Sequence, residues 1–483
     1  MTEQARPDAS TPPVTPSRPA LRWSAWRVVW WFGFVSLAAD MVYEGARSMY
    51  GPLLASLGAG AVVVGFVTGA GEAMALVLRL VFGPLADRTG RYWALTIVGY
   101  GLTAVCVPLL AVTPFVGGAG LALASVLILL ERAGKAVRSP SKSALLAHVA
   151  TAVGRGRGFG VHKALDQVGA FAGPLLVATV VAAAGTIWPG MLVLAIPGVV
   201  AMVLLAIIRA RVPDPAAYDP QPTDARTSEA SVPDASATHV SALDAAATDA
   251  PATDDPAADA PAAGAVPTAE PVVAESGPAR RGVVAGVRGW FADAVGAGLP
   301  RSFFRYALAA GLTTAGLVTF GLIGYHLTVG GLVPVATVPI VYAGAMGVEA
   351  LAALVVGVAY DRFGGAVLFA VPVLVALVPP LALTGSLPLV LVGVAVWGLA
   401  YGVQDSTVKA LVAEVVEAPR RATAYGVFAG VQGAFAVVGG LVSGWLYDRS
   451  LPWLVAVVAV SQLVALALLV RTVRGVRIHH PGS

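Results

Sequence analysis

The sequence predicts an all-α integral membrane protein, with twelve transmembrane helices in two six-helix bundles related by a pseudo-two-fold axis along the membrane normal. Three observations predict it. Hydrophobic residues make up 57% of the 483 positions and charged residues only 12%, more apolar surface than a soluble chain of this length can hide. The apolar residues gather into twelve runs, each about the 20 residues that a bilayer core requires. An octet also recurs: Gly83-Pro-Leu-Ala-Asp-Arg-Thr-Gly90 returns as Gly357-Val-Ala-Tyr-Asp-Arg-Phe-Gly364, each in the gap between two runs near the start of its half.

The runs lie near 26–56, 60–85, 92–113, 117–139, 158–184 and 187–209, then near 302–328, 334–360, 365–384, 387–413, 422–446 and 451–472. Short connections inside each half predict antiparallel neighbours. An N-terminal bundle over 25–210 and a C-terminal bundle over 301–474 follow. Between them, 211–300 is a linker. Its 212–279 stretch of Ala, Asp, Pro and Thr lacks the apolar area to offset the entropy of ordering. Residues 282–297 carry Val283, Val287, Trp290 and Phe291 around Arg288, the pattern of a short amphipathic helix lying on a membrane surface. Tails at 1–24 and 475–483 complete the chain. The first is Pro- and Ser-rich with no apolar core, unlike a cleaved leader.

Lys and Arg set the orientation. Arg22, Arg88, Arg91, Arg155, Arg211, Arg362, Arg420 and Arg474 would share one side, while the opposite loops, such as 113–120 and 384–387, hold almost none, with Arg449 the exception. Both termini and the linker are thus expected on the cytoplasmic side of the cell membrane. The net charge of +4 gives no basic stripe for nucleic acid, and the single Cys106 excludes an intrachain disulfide. The six His residues are scattered, and neither metal-ligand spacing nor a nucleophile or phosphate motif occurs. No enzyme, cofactor or metal is therefore expected. A monomer is expected, its partners a small-molecule substrate, protons and the lipid bilayer.

In the first octet, Asp87 is placed to accept from backbone N–H groups at a neighbouring helix start, while Gly83 and Gly90 allow close approach and a turn. Arg88 and Arg91 would face the anionic inner leaflet. The second copy has Gly357, Asp361, Arg362 and Gly364, with Gly365 where the first has Arg91. Either the octets only cap helices or they act as a gate.

Charges inside the runs cost about 2.5–3.5 kcal/mol each at the bilayer centre, so they persist when paired, wetted or useful. Helix one carries Asp40, Tyr43, Glu44 and Arg47, with 40, 44 and 47 on one face. Helix four carries Glu131, Arg132, Lys135 and Arg138, and helix five His162, Lys163 and Asp166. They form either a buried ion-pair network or a site for substrate and proton, with Asp40 and Glu131 the foremost proton carriers. Lys163, Arg138 and Lys142 read as anchors or gates near the inner surface. Helix two adds Glu72, helix eight Glu349, and helix ten Gln404, Asp405 and Lys409, the last two one turn apart in acid-before-base order. Gly169, Gly173 and Pro174 predict a bend or close backbone contact in helix five.

The paired octets resemble the Gly-x-x-x-Asp-Arg-x-Gly loop between the second and third helices of the major facilitator superfamily, over nearly the whole chain outside its tails and linker. The resemblance implies alternating access, with the octets as a latch that favours the outward-open state. It also implies that helices one, four, seven and ten line a central cavity and that helices two and eight face each other between the bundles. Gly169-Ala-Phe-Ala-Gly173-Pro174 resembles part of the antiporter motif of exporters, with Leu175 and Leu176 where that motif continues in glycine. The stretches 40–47, 131–138 and 158–166 resemble a bacterial group of unassigned substrate. In that group the segment after helix four is acidic where this chain has Pro140-Ser-Lys-Ser. Proton-coupled export of a small polar or charged solute is the implied function. A uniporter, or a non-transporting sensor or scaffold, is the alternative.

Overall fold

The computed structural model describes residues 23–219, 299–417 and 420–479. The side chains of Asp361, Asp405 and Lys409, the segment 282–297, most of the linker and most of both tails lie outside the described residues. Every regular element among those described is helical.

The N-terminal half holds α1 (Ala25–Arg47), α2 (Tyr50–Ser56), α3 (Ala61–Thr89), α4 (Tyr92–Leu109), α5 (Gly120–Thr151), α6 (Arg155–Ala184), α7 (Ile187–Leu192) and α8 (Ala195–Arg211). The C-terminal half holds α9 (Arg301–Gly316), α10 (Phe320–Val329), α11 (Val338–Phe363), α12 (Ala370–Ala382), α13 (Leu387–Val415), α14 (Arg421–Arg449) and α15 (Leu451–His479). Among the described residues, eleven segments are long and apolar enough to cross a membrane. The twelfth crossing is α5, 32 residues long, whose Glu131, Arg132 and Lys135 lower its hydropathy. Outward-facing Ile196, Leu351, Val355, Trp453 and Leu463 are exposed, as a lipid-facing surface requires.

Helix one is not continuous, as the single run at 26–56 suggested. It stops at Arg47 and restarts at Tyr50, because Pro52 has no N–H to give the Ser48 carbonyl. The Ser48 hydroxyl turns back to the Gly45 carbonyl at 2.6 Å. Helix seven breaks at the corresponding place: α9 ends at Gly316 and α10 is restarted by Thr319, whose side chain caps Leu322 N–H. The short pieces α2 and α10 pack on each other across the two halves. Helix four overruns its expected end at 139 and continues to Thr151. Pro140-Ser-Lys-Ser is therefore inside a helix and not in a loop after it.

The halves meet along two further seams, α3 on α14 and α6 on α11. Helices two and eight were expected to face each other; each instead takes a different partner, helix two packing on eleven and helix eight on five. At the first seam Gly65 and Gly440 bring backbone against backbone. Within the N-terminal half, a Cβ at Gly169 or Gly173 would run into the backbone of Leu37 or Met41, so these glycines seat α6 against α1. Pro174 lies within a continuous α6.

Candidate functional site

A cavity of about 350 Å³ lies between the halves. Helical spacing builds its charged wall. Asp40, Glu44 and Arg47 follow one face of α1, Glu72 and Arg79 one face of α3, and Lys135, Arg138 and Lys142 one face of α5. Lys163 and Asp166 come from the first turns of α6. The opposite wall is Thr314 on α9, Leu322 on α10, Met346 and Glu349 on α11, Trp397, Tyr401 and Gln404 on α13, and Gln432 on α14.

The charges form two linked groups. In the first, Arg47 donates to Glu72 at 2.7 Å and lies 3.7 Å from Glu44. Arg132 reaches the same Glu72 oxygen at 3.5 Å and Glu131 at 3.8 Å, and donates to the Tyr43 hydroxyl. In the second, Arg138 is 3.6 Å from Asp40 and donates to Thr103 at 2.6 Å. Asp40 and Asp166 line the same wall of the cavity. Asp166 accepts from Ser36 at 2.5 Å, Ser36 from Lys142 at 3.1 Å, and Lys163 lies 3.5 Å from Asp166. Buried charges of this kind persist only with such partners.

Glu131 and Arg132 were expected to face water with the rest of their helix. They are buried behind the cavity wall instead, 0% and 2% exposed. Tyr43 and Tyr50 cover them: Tyr50 donates to one Glu131 oxygen at 3.1 Å, and the other oxygen has no partner. Arg138, expected near the surface, belongs to the buried network. His162 is buried with both ring nitrogens unpartnered.

The cavity is shut at one end. Gly51 abuts the backbone of Gly321 and Tyr325, and the Thr68 and Thr319 hydroxyls meet at 2.8 Å across the halves. Tyr342 of α11 donates to Glu44 of α1 near this end. His326 is held between the Tyr447 hydroxyl and the Thr384 carbonyl, at 2.8 and 2.9 Å. Toward the other end, where α1 begins and α15 finishes, the Lys163 side chain is 65% exposed, and the cavity reaches solvent there.

The octets stand apart from the cavity lining. Gly90 and Gly364 end α3 and α11 with φ of 61° and 59°, a region that favours glycine. Asp87 was expected to meet a neighbouring helix start through backbone N–H groups. It accepts instead from the Tyr92 hydroxyl of its own half at 3.1 Å. Arg88, Arg91 and Arg362 are exposed.

Sequence reasoning missed Arg79, Tyr342, Trp397 and Tyr401. Arg79 lies seven residues after Glu72, and Tyr342 seven before Glu349, so both share a helix face with a residue already singled out. Trp397 and Tyr401 are one turn apart and stack at 5.2 Å.

A sequence profile described as Major Facilitator Superfamily matches residues 32–348 and again 303–482. An uncharacterized protein of Mycobacterium tuberculosis is 43% identical over 466 residues, covering 96% of this chain and 97% of its own. An uncharacterized MFS-type transporter of Methanocaldococcus jannaschii is 28% identical over 148 residues, 31% of this chain and 36% of its own. Among solved structures, the peptide transporter POT in complex with sulfate superposes with a TM-score of 0.62 at 12% identity, over 93% of this chain and 94% of that one. The nucleoside transporter NupG does so with 0.57 at 12%, over 92% and 98%. At these identities the likeness is one of fold.

Proposed function

Since the chain belongs to the Major Facilitator Superfamily, we propose that it is a secondary active transporter that moves a small polar or charged solute by alternating access, coupled to protons and working as an exporter. The observation that carries this reading is the charged cavity between the halves, shut at one end and open at the other. A solute entering from the open end meets fixed charges at mid-depth. Rocking of one half on the other would open the seal at Gly51 and Gly321 and close the opposite side.

The open end carries the basic loops, so it faces the cytoplasm of the cell membrane, with both termini inside. In this state the solute is loaded from within, which suits export. The Gly169 and Gly173 seat of α6 on α1 supports the same direction through its likeness to the exporter motif. Proton coupling rests on Asp40 and Asp166. Protonation of either carboxyl would weaken its ion pair, Asp40 with Arg138 at 3.6 Å or Asp166 with Lys163 at 3.5 Å. That links one proton to the packing of α1, α5 and α6.

The test is flux in liposomes containing the purified protein, with and without an imposed pH gradient. Candidate solutes would come from comparing the contents of cells with and without the protein. Faster flux into the acidic compartment is expected. Equal flux under both conditions would overturn the coupling and leave a uniporter.

A further inference from the structure

We propose that the transported solute is an organic anion with a flat or apolar body, its acidic group bound by Arg79 and Lys135 and its body laid against Trp397 and Tyr401. The proposal deepens the transporter reading and rests on it for the word transported, but the binding site can be tested alone.

The argument begins with which cavity charges are already matched. Arg47 has Glu72 and Glu44, Arg138 has Asp40, and Lys163 has Asp166. Arg79 and Lys135 differ. Neither lies within ion-pair distance of a carboxylate among the described residues. The Arg79 Nε is buried and has no hydrogen-bond partner at all. The Lys135 ammonium instead rests 3.5 Å from the centre of the Tyr43 ring, a contact that leaves its three N–H donors free to turn toward an anion. Both side chains line the cavity. A buried donor without an acceptor is costly, and a guanidinium is rarely left so unless something arrives to accept from it. A carboxylate or a phosphate does so with two oxygens in the plane of the guanidinium.

The opposite wall excludes a small inorganic ion as the best fit. Trp397 and Tyr401 stack on each other at 5.2 Å, and both line the cavity. The Trp397 N–H is already used on the Val318 carbonyl at 2.8 Å, so what Trp397 offers the cavity is its ring. Met346 and Leu322 extend that apolar surface. The amides of Gln404 and Gln432 both donate to Thr314, at 3.0 and 3.2 Å, and are thereby held at the edge of it. A ligand that meets cations on one side and aromatic and apolar side chains on the other carries an acid at one end and carbon at the other. An inorganic anion would satisfy only the first wall, and a cation would be repelled by it.

The experiment is direct binding to purified full-length protein in detergent, read by Trp fluorescence and calorimetry. The probes are three molecules with one body: phenylacetate, phenylacetamide and phenethylamine, with phenyl phosphate and inorganic phosphate alongside. The expected result is binding of phenylacetate or phenyl phosphate, with the amide, the amine and inorganic phosphate at least about tenfold weaker, the loss that goes with one charge-assisted hydrogen bond. Arg79→Gln and Lys135→Gln should each weaken the anion about tenfold while leaving the weak binding of the amide unchanged. Arg79→Lys should recover part of it. A variant that fails to fold is recognised by its thermal transition and replaced by Arg79→Lys or Lys135→Arg. The proposal is overturned if the amine or amide binds as well as the acid, if inorganic phosphate equals phenyl phosphate, if neither acid binds at millimolar concentration, or if both Gln variants keep full anion affinity. Counterflow of the bound acid in liposomes then separates the two readings. Binding without flux refutes transport and keeps the site; flux of other solutes with no anion binding does the reverse.

Discussion

Helices α1, α3, α5 and α6 place five cations and five carboxyls in two linked groups on or just behind the cavity wall, from Arg47, Glu44, Glu72 and Arg132 to Arg138, Asp40, Asp166 and Lys163, with Glu131 and Lys142 at their margins. The related helices α9, α11, α13 and α14 answer with rings, amides and Thr314, and with Glu349 as their described acidic contribution to that wall. The two halves share the broken first helix and the octet, so the scaffold is duplicated while, among the described residues, the charge network is not. This difference separates two jobs. One half holds charge in a fixed network, and the other provides a surface that can slide past it without breaking ion pairs.

The sharpest way to break that comparison is to remove one polar partner on each side. Glu72→Gln removes the acid shared by Arg47 at 2.7 Å and Arg132 at 3.5 Å, leaving two buried guanidiniums short of charge. Removing one partner of a buried pair costs about 3–5 kcal/mol. Gln432→Leu on the other half, which loses one neutral amide bond to Thr314 at 3.2 Å, should cost only about 1 kcal/mol. Denaturant or thermal unfolding in detergent measures both. Equal losses would mean that the C-terminal wall is as electrostatically committed as the N-terminal one.

A smaller effect is expected where the halves touch. Tyr342 of α11 donates to Glu44 of α1, beside the seal made by Gly51 and Gly321. Tyr342→Phe keeps the ring, which packs edge-on to Phe320 at 4.5 Å, and deletes only the donor. One hydrogen bond is worth about 1 kcal/mol, so the ratio of the two access states should move about fivefold away from the present one. Spin-label distances across the sealed end would read the change. No shift would mean that Glu44 is held by Arg47 alone and that the tie between halves lies elsewhere.

How far the sequence discloses this arrangement depends on what the lipid demands. The crossings are legible because every span must be long and apolar, and the charge clusters because lipid makes them conspicuous. The breaks at Ser48 and Leu317 are less so. Pro52 announces the first, whereas the second has only the capping Thr319. Pairing between helices leaves a weaker trace. Gly65 and Gly69, with Gly440 and Gly444, are each four apart and mark the seam of α3 with α14, yet nothing in one helix names its partner. The depth of Glu131 was hidden for another reason. Spacing puts it on a face with Lys135, and only the folded positions of Tyr43 and Tyr50 cover one and leave the other open.

The smallest effect on stability is expected at the octets, which are the most visible motif in the sequence. Arg88 and Arg362 are exposed, and among the described residues Asp87 accepts from the Tyr92 hydroxyl. Exposed substitutions away from buried features stay within about 0.5 kcal/mol. Arg88→Gln and Arg362→Gln should therefore leave unfolding in detergent unchanged. If the octets latch the halves in the opposite access state, flux should nonetheless fall, and fall further for Arg88→Gln, whose copy keeps the trailing Arg91. A latch stabilises one state of the cycle and is invisible in the other, so stability and flux must separate. Should both variants keep full flux, the octets serve as helix ends, Gly90 and Gly364 doing their part through backbone conformation alone, and the duplicated sequence would then mark architecture and not the gate.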